Sequence, residues 1–115
     1  MTKILFFPSS LKQIKDVNAL VDGFILSVTD LSINSLFTLN IDDIEELTKK
    51  YSDKEIFVSL NKNMFNNDLK QLEDVLIKLS NFNIAGVLYY DISVLSIVKR
   101  LKLNIHLVWS QEHLT

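Results

Sequence analysis

An α/β fold of alternating β-α units with parallel strands is predicted by the order of apolar segments along the chain. Strand-length apolar runs alternate with longer segments of helical period. The runs are almost continuously apolar, as expected for strands covered on both faces. The length is the third observation: 115 residues give a β-α-β-α-β-α-β-α-β series in which only Ser110 to Thr115 follow the fifth run. A flavodoxin-like open sheet, the alternative architecture, would close with a helix there. The expectation is therefore half of a (βα)8 TIM-type barrel, with residues 1–115 forming one (βα)4β segment, the N-terminal part of a longer barrel domain.

Each element has a local reason. Lys3 to Phe7 is a short apolar run that Pro8 stops, since proline lacks the N–H a ladder needs. Ser9 or Ser10 can cap a helix with Leu11, Ile14, Val17 and Val21 inward. Gly23 to Val28 reads as the second strand, and Thr29 to Leu39, without a clean period, as a long loop. Asn40 caps a second helix whose stripe is Ile41, Ile44, Leu47 and Tyr51. Its acidic residues lead and Lys49 and Lys50 close it, which suits the helix dipole. Ile56 to Asn61 is the third strand. Asn66 or Asn67 is expected to cap the helix bearing Leu69, Leu72, Val75, Leu76 and Leu79. Gly86 to Tyr90 is the fourth strand, Asp91 a cap, and Val94, Leu95, Val98 and Leu101 face inward on the fourth helix. Ile105 to Trp109 is the fifth strand.

Composition removes several classes of function. Twelve basic against fourteen acidic residues leave a net charge of −2, without the basic field that nucleic-acid binding needs. With no cysteine, this segment holds no thiolate nucleophile, disulfide or iron–sulfur cluster. Two glycines and one proline leave no glycine-rich phosphate loop. No apolar stretch reaches the roughly 18 residues of a membrane span, and the first apolar run is too short for a secretory signal, so a cytoplasmic location is expected. Abundant Ile, Lys and Asn beside only Ala19 and Ala85 point to an AT-rich bacterial genome.

Six segments carry a further signal in one order along most of the chain. They are Val21 to Ser27, Phe37 to Leu47, Lys54 to Asn61, Asn66 to Leu72, Asn83 to Leu95 and Leu103 to Gln111. Collinearly, they resemble the N-terminal part of the collagenase-like peptidase family, peptidase family U32. Members carry G-A-D-A-V-Y-V-G, F-T-x-E-E-L, K-V-Y-V-T-x-N, H-N-x-E-L-x-x-L, L-G-V-D-A-V-I-V-S-D-x-G-V-L and L-x-I-H-L-S-T-Q at these places. The family's opening A-P-A-G is Phe7-Pro8-Ser9-Ser10 here, and its cysteine-bearing signature falls beyond residue 115. The resemblance implies a barrel domain and a peptidase or hydrolase class. Some relatives instead take part in RNA or quinone hydroxylation with cysteine-held iron–sulfur clusters. An alternative of another class is a small-molecule-responsive regulator similar to the glycerol-responsive antiterminators.

Ligands of parallel α/β folds gather at the C-terminal strand ends. There the sequence places Asn61, Asp91, Gln111, Glu112 and His113 as ligand-binding candidates, with Ser9, Ser10, Thr29 and Asp30 nearby. Capping accounts for Ser9, Ser10 and Asp91, and turn chemistry for Asn61. His113 and Glu112 suit acid–base work. His106 and His113, the only histidines, fall at opposite ends of the fifth strand, so no metal site is expected and no cofactor is assigned. Phe57, Tyr89, Tyr90 and Trp109 read as core filling rather than base-stacking groups. No catalytic set is identifiable. The expected partner is the remainder of the barrel or a second copy of the chain, a homodimer through exposed edge strands.

Overall fold

The computed structural model describes residues 4–32 and 37–109. Five parallel strands, β1 (Leu5–Phe6), β2 (Gly23–Ser27), β3 (Glu55–Leu60), β4 (Gly86–Tyr89) and β5 (Leu107–Trp109), lie side by side in the order β1-β2-β3-β4-β5. Four helices alternate with them: α1 (Leu11–Val17), α2 (Ile41–Lys50), α3 (Asn66–Leu79) and α4 (Ile92–Leu101). The α/β fold class is thus as expected. The unbroken order has no reversal of strand sequence, the feature that creates the switch point of flavodoxin-like sheets.

Local chemistry starts and stops the helices. Ser10 caps α1, its side chain accepting the Gln13 N–H at 3.1 Å, while Gln13 Oε1 accepts the Ser9 N–H at 2.6 Å. Asn40 caps α2 by accepting the Asp43 N–H at 2.9 Å. Asp91 caps α4 through the Ser93 N–H at 2.8 Å. α4 closes with Lys102 left-handed at φ 54° and the Leu103 N–H returning to the Val98 carbonyl at 3.0 Å.

Several boundaries differ from expectation. α1 stops at Val17 and a 3₁₀ turn, Asn18–Leu20, follows, so Val21 is buried from an extended backbone rather than from a helix. The N-cap of α3 is Phe65, which places Asn66 and Asn67 in the first turn. The Asp68 carboxylate reaches back to the Phe65 N–H at 3.0 Å, and that bond sets the start. On α4, Ile97 is buried while Leu95 is only half-buried, a rotation of the inward stripe. The described residues on either side of positions 33–36 depart from a plain loop. Leu39 pairs with Val28, Leu31 is fully buried, and a turn closed by the Leu31 N–H on the Val28 carbonyl holds Asp30 at φ 68°.

The two faces of the sheet differ in kind. Successive strand side chains alternate between faces. One set, Phe24, Leu26, Val28, Ile56, Val58, Leu60 and Val87, is at most 2% exposed and forms one core with Ile14, Ile44, Leu47, Leu72, Leu76, Leu79, Val94 and Ile97 of the helices. The helices therefore cover that face. Alternation puts Leu5, Phe7, Ile25, Phe57, Leu88 and Val108 on the opposite face. All six are half-buried or exposed, and none belongs to the core cluster or packs against it. Gly23 and Gly86 share this second face. A Cβ on Gly86 would stand 3.0 Å from the His106 carbonyl and 3.1 Å from the Phe57 ring, so Phe57 spreads into the space the glycine leaves.

Candidate functional site

The second face changes character along the strands. Ile25 and Phe57 stand in one register row; the next row on this face is Ser27, Ser59, Leu88 and Val108. One step past the Leu60–Tyr89 pairing, the register sets Asn61 beside Tyr90. An apolar floor thus gives way to a polar rim at the C-terminal strand ends. That is where loops and helix N-termini of parallel β/α folds converge on ligands.

The rim is built by ties between strand-end segments. Ser27, Ser59 and Asn61 are buried, at 5%, 2% and 5% exposure, on a face whose apolar residues are not. Ser32 from the post-β2 turn donates its hydroxyl to the Ser59 carbonyl at 2.7 Å and accepts the Val28 N–H at 3.2 Å. Lys62, just past β3, donates to the Asp30 carbonyl at 3.2 Å and to Asp68 Oδ1 at 3.1 Å. The Phe65 N–H and then Lys62 hold the Asp68 carboxyl below its ordinary value.

Asp91 ties the next pair. Its Oδ2 accepts the Met64 N–H at 2.7 Å, while Oδ1 accepts the Ser93 N–H and, at 2.6 Å, the Ser93 hydroxyl. Burial acts to raise this carboxyl, but the bonds from the Ser93 hydroxyl, the Ser93 N–H and the Met64 N–H outweigh it, and the net displacement is downward. A lowered folded-state value means that ionised Asp91 stabilises the fold above the ordinary carboxylate range, about pH 4. That contribution is lost as pH falls through the lowered value. Asp91→Ala should cost about 1–2 kcal/mol at neutral pH, from the lost cap and loop tie. In urea titrations the gap between wild type and variant should narrow as pH drops below 4, about the unfolded carboxylate value. A gap that stays constant or widens would mean that the bonds to Ser93 and Met64 carry no charge-dependent stability.

Of the sequence candidates, Asn61 and Asp91 fall at this rim, on the linked β3 and β4 ends. Gln111, Glu112 and His113 lie outside the described residues, as does Ser110. Asp30 and Thr29 stand on the post-β2 turn, exposed. His106 directly precedes β5, at the far end from the rim. Ser27, Ser32 and Ser59 were not singled out by their sequence positions. The available signal was a serine interrupting each of two apolar runs, at Ile25-Leu26-Ser27 and Phe57-Val58-Ser59. Among the described residues no three His, Cys, Asp or Glu side chains converge as a metal site, and no helix is long and apolar enough to cross a membrane.

A consecutively ordered parallel sheet with helices against one face defines an α/β protein built of alternating β-α units. Within that class the chain belongs to peptidase family U32: the model of that family matches residues 9–114, nearly the whole length. No curated protein and no solved structure gives a significant match.

Proposed function

We propose that this chain is the N-terminal half-barrel of a U32-family protein, supplying wall and rim to a ligand cleft without hydrolysing peptide bonds alone. The observation that carries this reading is the uncovered face: all five strands direct apolar side chains to a side of the sheet that, among the described residues, no helix covers. In a closed β/α barrel such residues are the packed interior, layered above one another along the strands. Residues 1–115 then supply one part of a barrel that further β-α units or a second copy would complete, with Asn61, Asp91, Gln111, Glu112 and His113 as the proposed ligand-binding residues.

The chemistry of the rim agrees with an inert half. A serine nucleophile needs a base within hydrogen-bond reach of its hydroxyl. The Ser32 hydroxyl is donated to a backbone carbonyl, and the Ser93 hydroxyl to an Asp91 carboxylate already engaged by two N–H groups. His106, the one imidazole among the described residues, stands at the opposite end of the sheet. The test is incubation of the purified chain with gelatin and with a fluorogenic collagen-derived peptide. The expected result is no turnover above the buffer blank. Sustained turnover that co-purifies with the chain and disappears on Asn61→Ala or His113→Ala would overturn the reading.

A further inference from the structure

We infer that two copies of this chain close on each other edge to edge, β5 of one copy pairing in parallel with β1 of its partner at two equivalent junctions. The inference rests on the half-barrel reading above and adds which surface meets which. β1 and β5 end the sheet, and among the described residues neither has a strand on its outer side. Residues of a parallel strand address their backbone groups alternately to the two neighbours. The Ile4 carbonyl accepts the Gly23 N–H, and the His106 carbonyl accepts the Val87 N–H at 2.8 Å. Ile4 and His106 therefore face inward along the sheet, which directs the backbone groups of Leu5, Phe7, Leu107 and Trp109 to the outer edges. Each edge thus offers a short ladder of matching length.

The side chains at these edges call for the same arrangement. On the uncovered face, Leu5 and Phe7 of β1 are 37% and 55% exposed, continuing into Ile25, Phe57, Leu88 and Val108. On the helix-covered side, Ile4 and Trp109 project from the two edges at 54% and 49% exposure. Face-to-face stacking of two sheets would cover the first set and leave the second in water. Edge pairing covers both: Ile4 and Trp109 come under the neighbouring copy's helices, and the first set becomes the inside of a closed ring. Half-exposed Phe7 and Trp109 alone present on the order of 200 Å². With the other six, the apolar area reaches the several hundred Å² that form the apolar share of an interface of about 800 Å² per partner. A two-fold axis along the strands keeps every strand parallel and makes both junctions at once, so assembly stops at two copies.

Sedimentation or light scattering of the wild-type chain at micromolar concentration should give twice 13.3 kDa. Phe7→Lys and Val108→Lys put charge on the uncovered side of each edge. Each should weaken the dimer by at least about tenfold, with the far-UV circular dichroism unchanged. Because the chain has no cysteine, a disulfide test is independent of those variants. Chains bearing Leu5→Cys mixed with chains bearing Val108→Cys should cross-link to each other in preference to themselves. A cooperatively folded monomer, or preferential Leu5→Cys self-cross-linking, would overturn the inference. A monomer without hydrolytic activity leaves the half-barrel reading standing, whereas an active chain of either mass removes that reading, so the two failures are distinguishable.

Discussion

Phe24→Ala should lower the unfolding free energy by about 3–5 kcal/mol, the cost of deleting a fully buried aromatic side chain. Phe24 is 1% exposed on β2, inside the core shared with the helices. Its ring meets Tyr51 at the end of α2 edge-on, with centroids 5.8 Å apart and planes at 64°. Truncation therefore opens a void between sheet and helix and removes an aromatic pair that contributes about 0.5–1.5 kcal/mol beyond area burial. Against a total of about 5–15 kcal/mol for a domain, the loss is severe. Urea denaturation should show a lower midpoint with little change in slope. Phe24→Leu, which keeps most of the volume, should cost much less. Equal losses for the two variants would mean that cavity formation is not the cause.

Gly23→Ala, one residue earlier, fails for the opposite reason. Gly23 faces the uncovered side, where a methyl group would leave an apolar core untouched. The Cβ would instead collide with the backbone carbonyl of Glu55 on the neighbouring strand. That oxygen belongs to a paired strand and cannot swing aside as a flexible side chain does, so β2 and β3 must separate locally. The expected cost is about 1–3 kcal/mol, towards the upper end of the range for overpacking. Gly86→Ala should cost less, since its nearest contacts are at 3.0 Å or beyond and one of them is the edge of the Phe57 ring. If Gly23→Ala were neutral in thermal melts, the close approach of β2 and β3 at this point would be wrong.

Much of the fold was legible because the signals are local. Ser10, Asn40 and Asp91 stand where a short polar side chain can accept an amide two or three residues on, and all three are caps. At the start of α3, two adjacent asparagines look like caps in the sequence, yet Phe65 is the N-cap. The deciding contact, Asp68 reaching back to the Phe65 amide, makes a residue without any capping side chain the boundary. On α4, Ile92, Val94, Leu95, Ile97 and Val98 are apolar in almost every direction, so period alone cannot tell Leu95 from Ile97. Only the position of the sheet decides. The same holds for the rim: Asn61 and Asp91 could be placed from strand ends, but the Ser27–Ser59 neighbourhood depends on register between strands, which no spacing in the sequence encodes. Continuous apolar runs predict two apolar faces, and only the half-barrel expectation, not the periodicity itself, says that one of them lacks a covering helix.

The consecutive strand order also bears on how the chain reaches its native state. Each strand is hydrogen-bonded only to those directly before and after it in sequence. Closing any junction therefore requires a loop of one β-α unit and never a crossing of the whole chain, which keeps the entropy of closure low. Ordering can therefore start at one β-α unit and spread to its sequence neighbours on both sides. β3, flanked by five-residue and four-residue ladders, is the natural centre of that growth. β1, held through two residues, should be the last to join and the first to leave, with its amides exchanging fastest of the five strands.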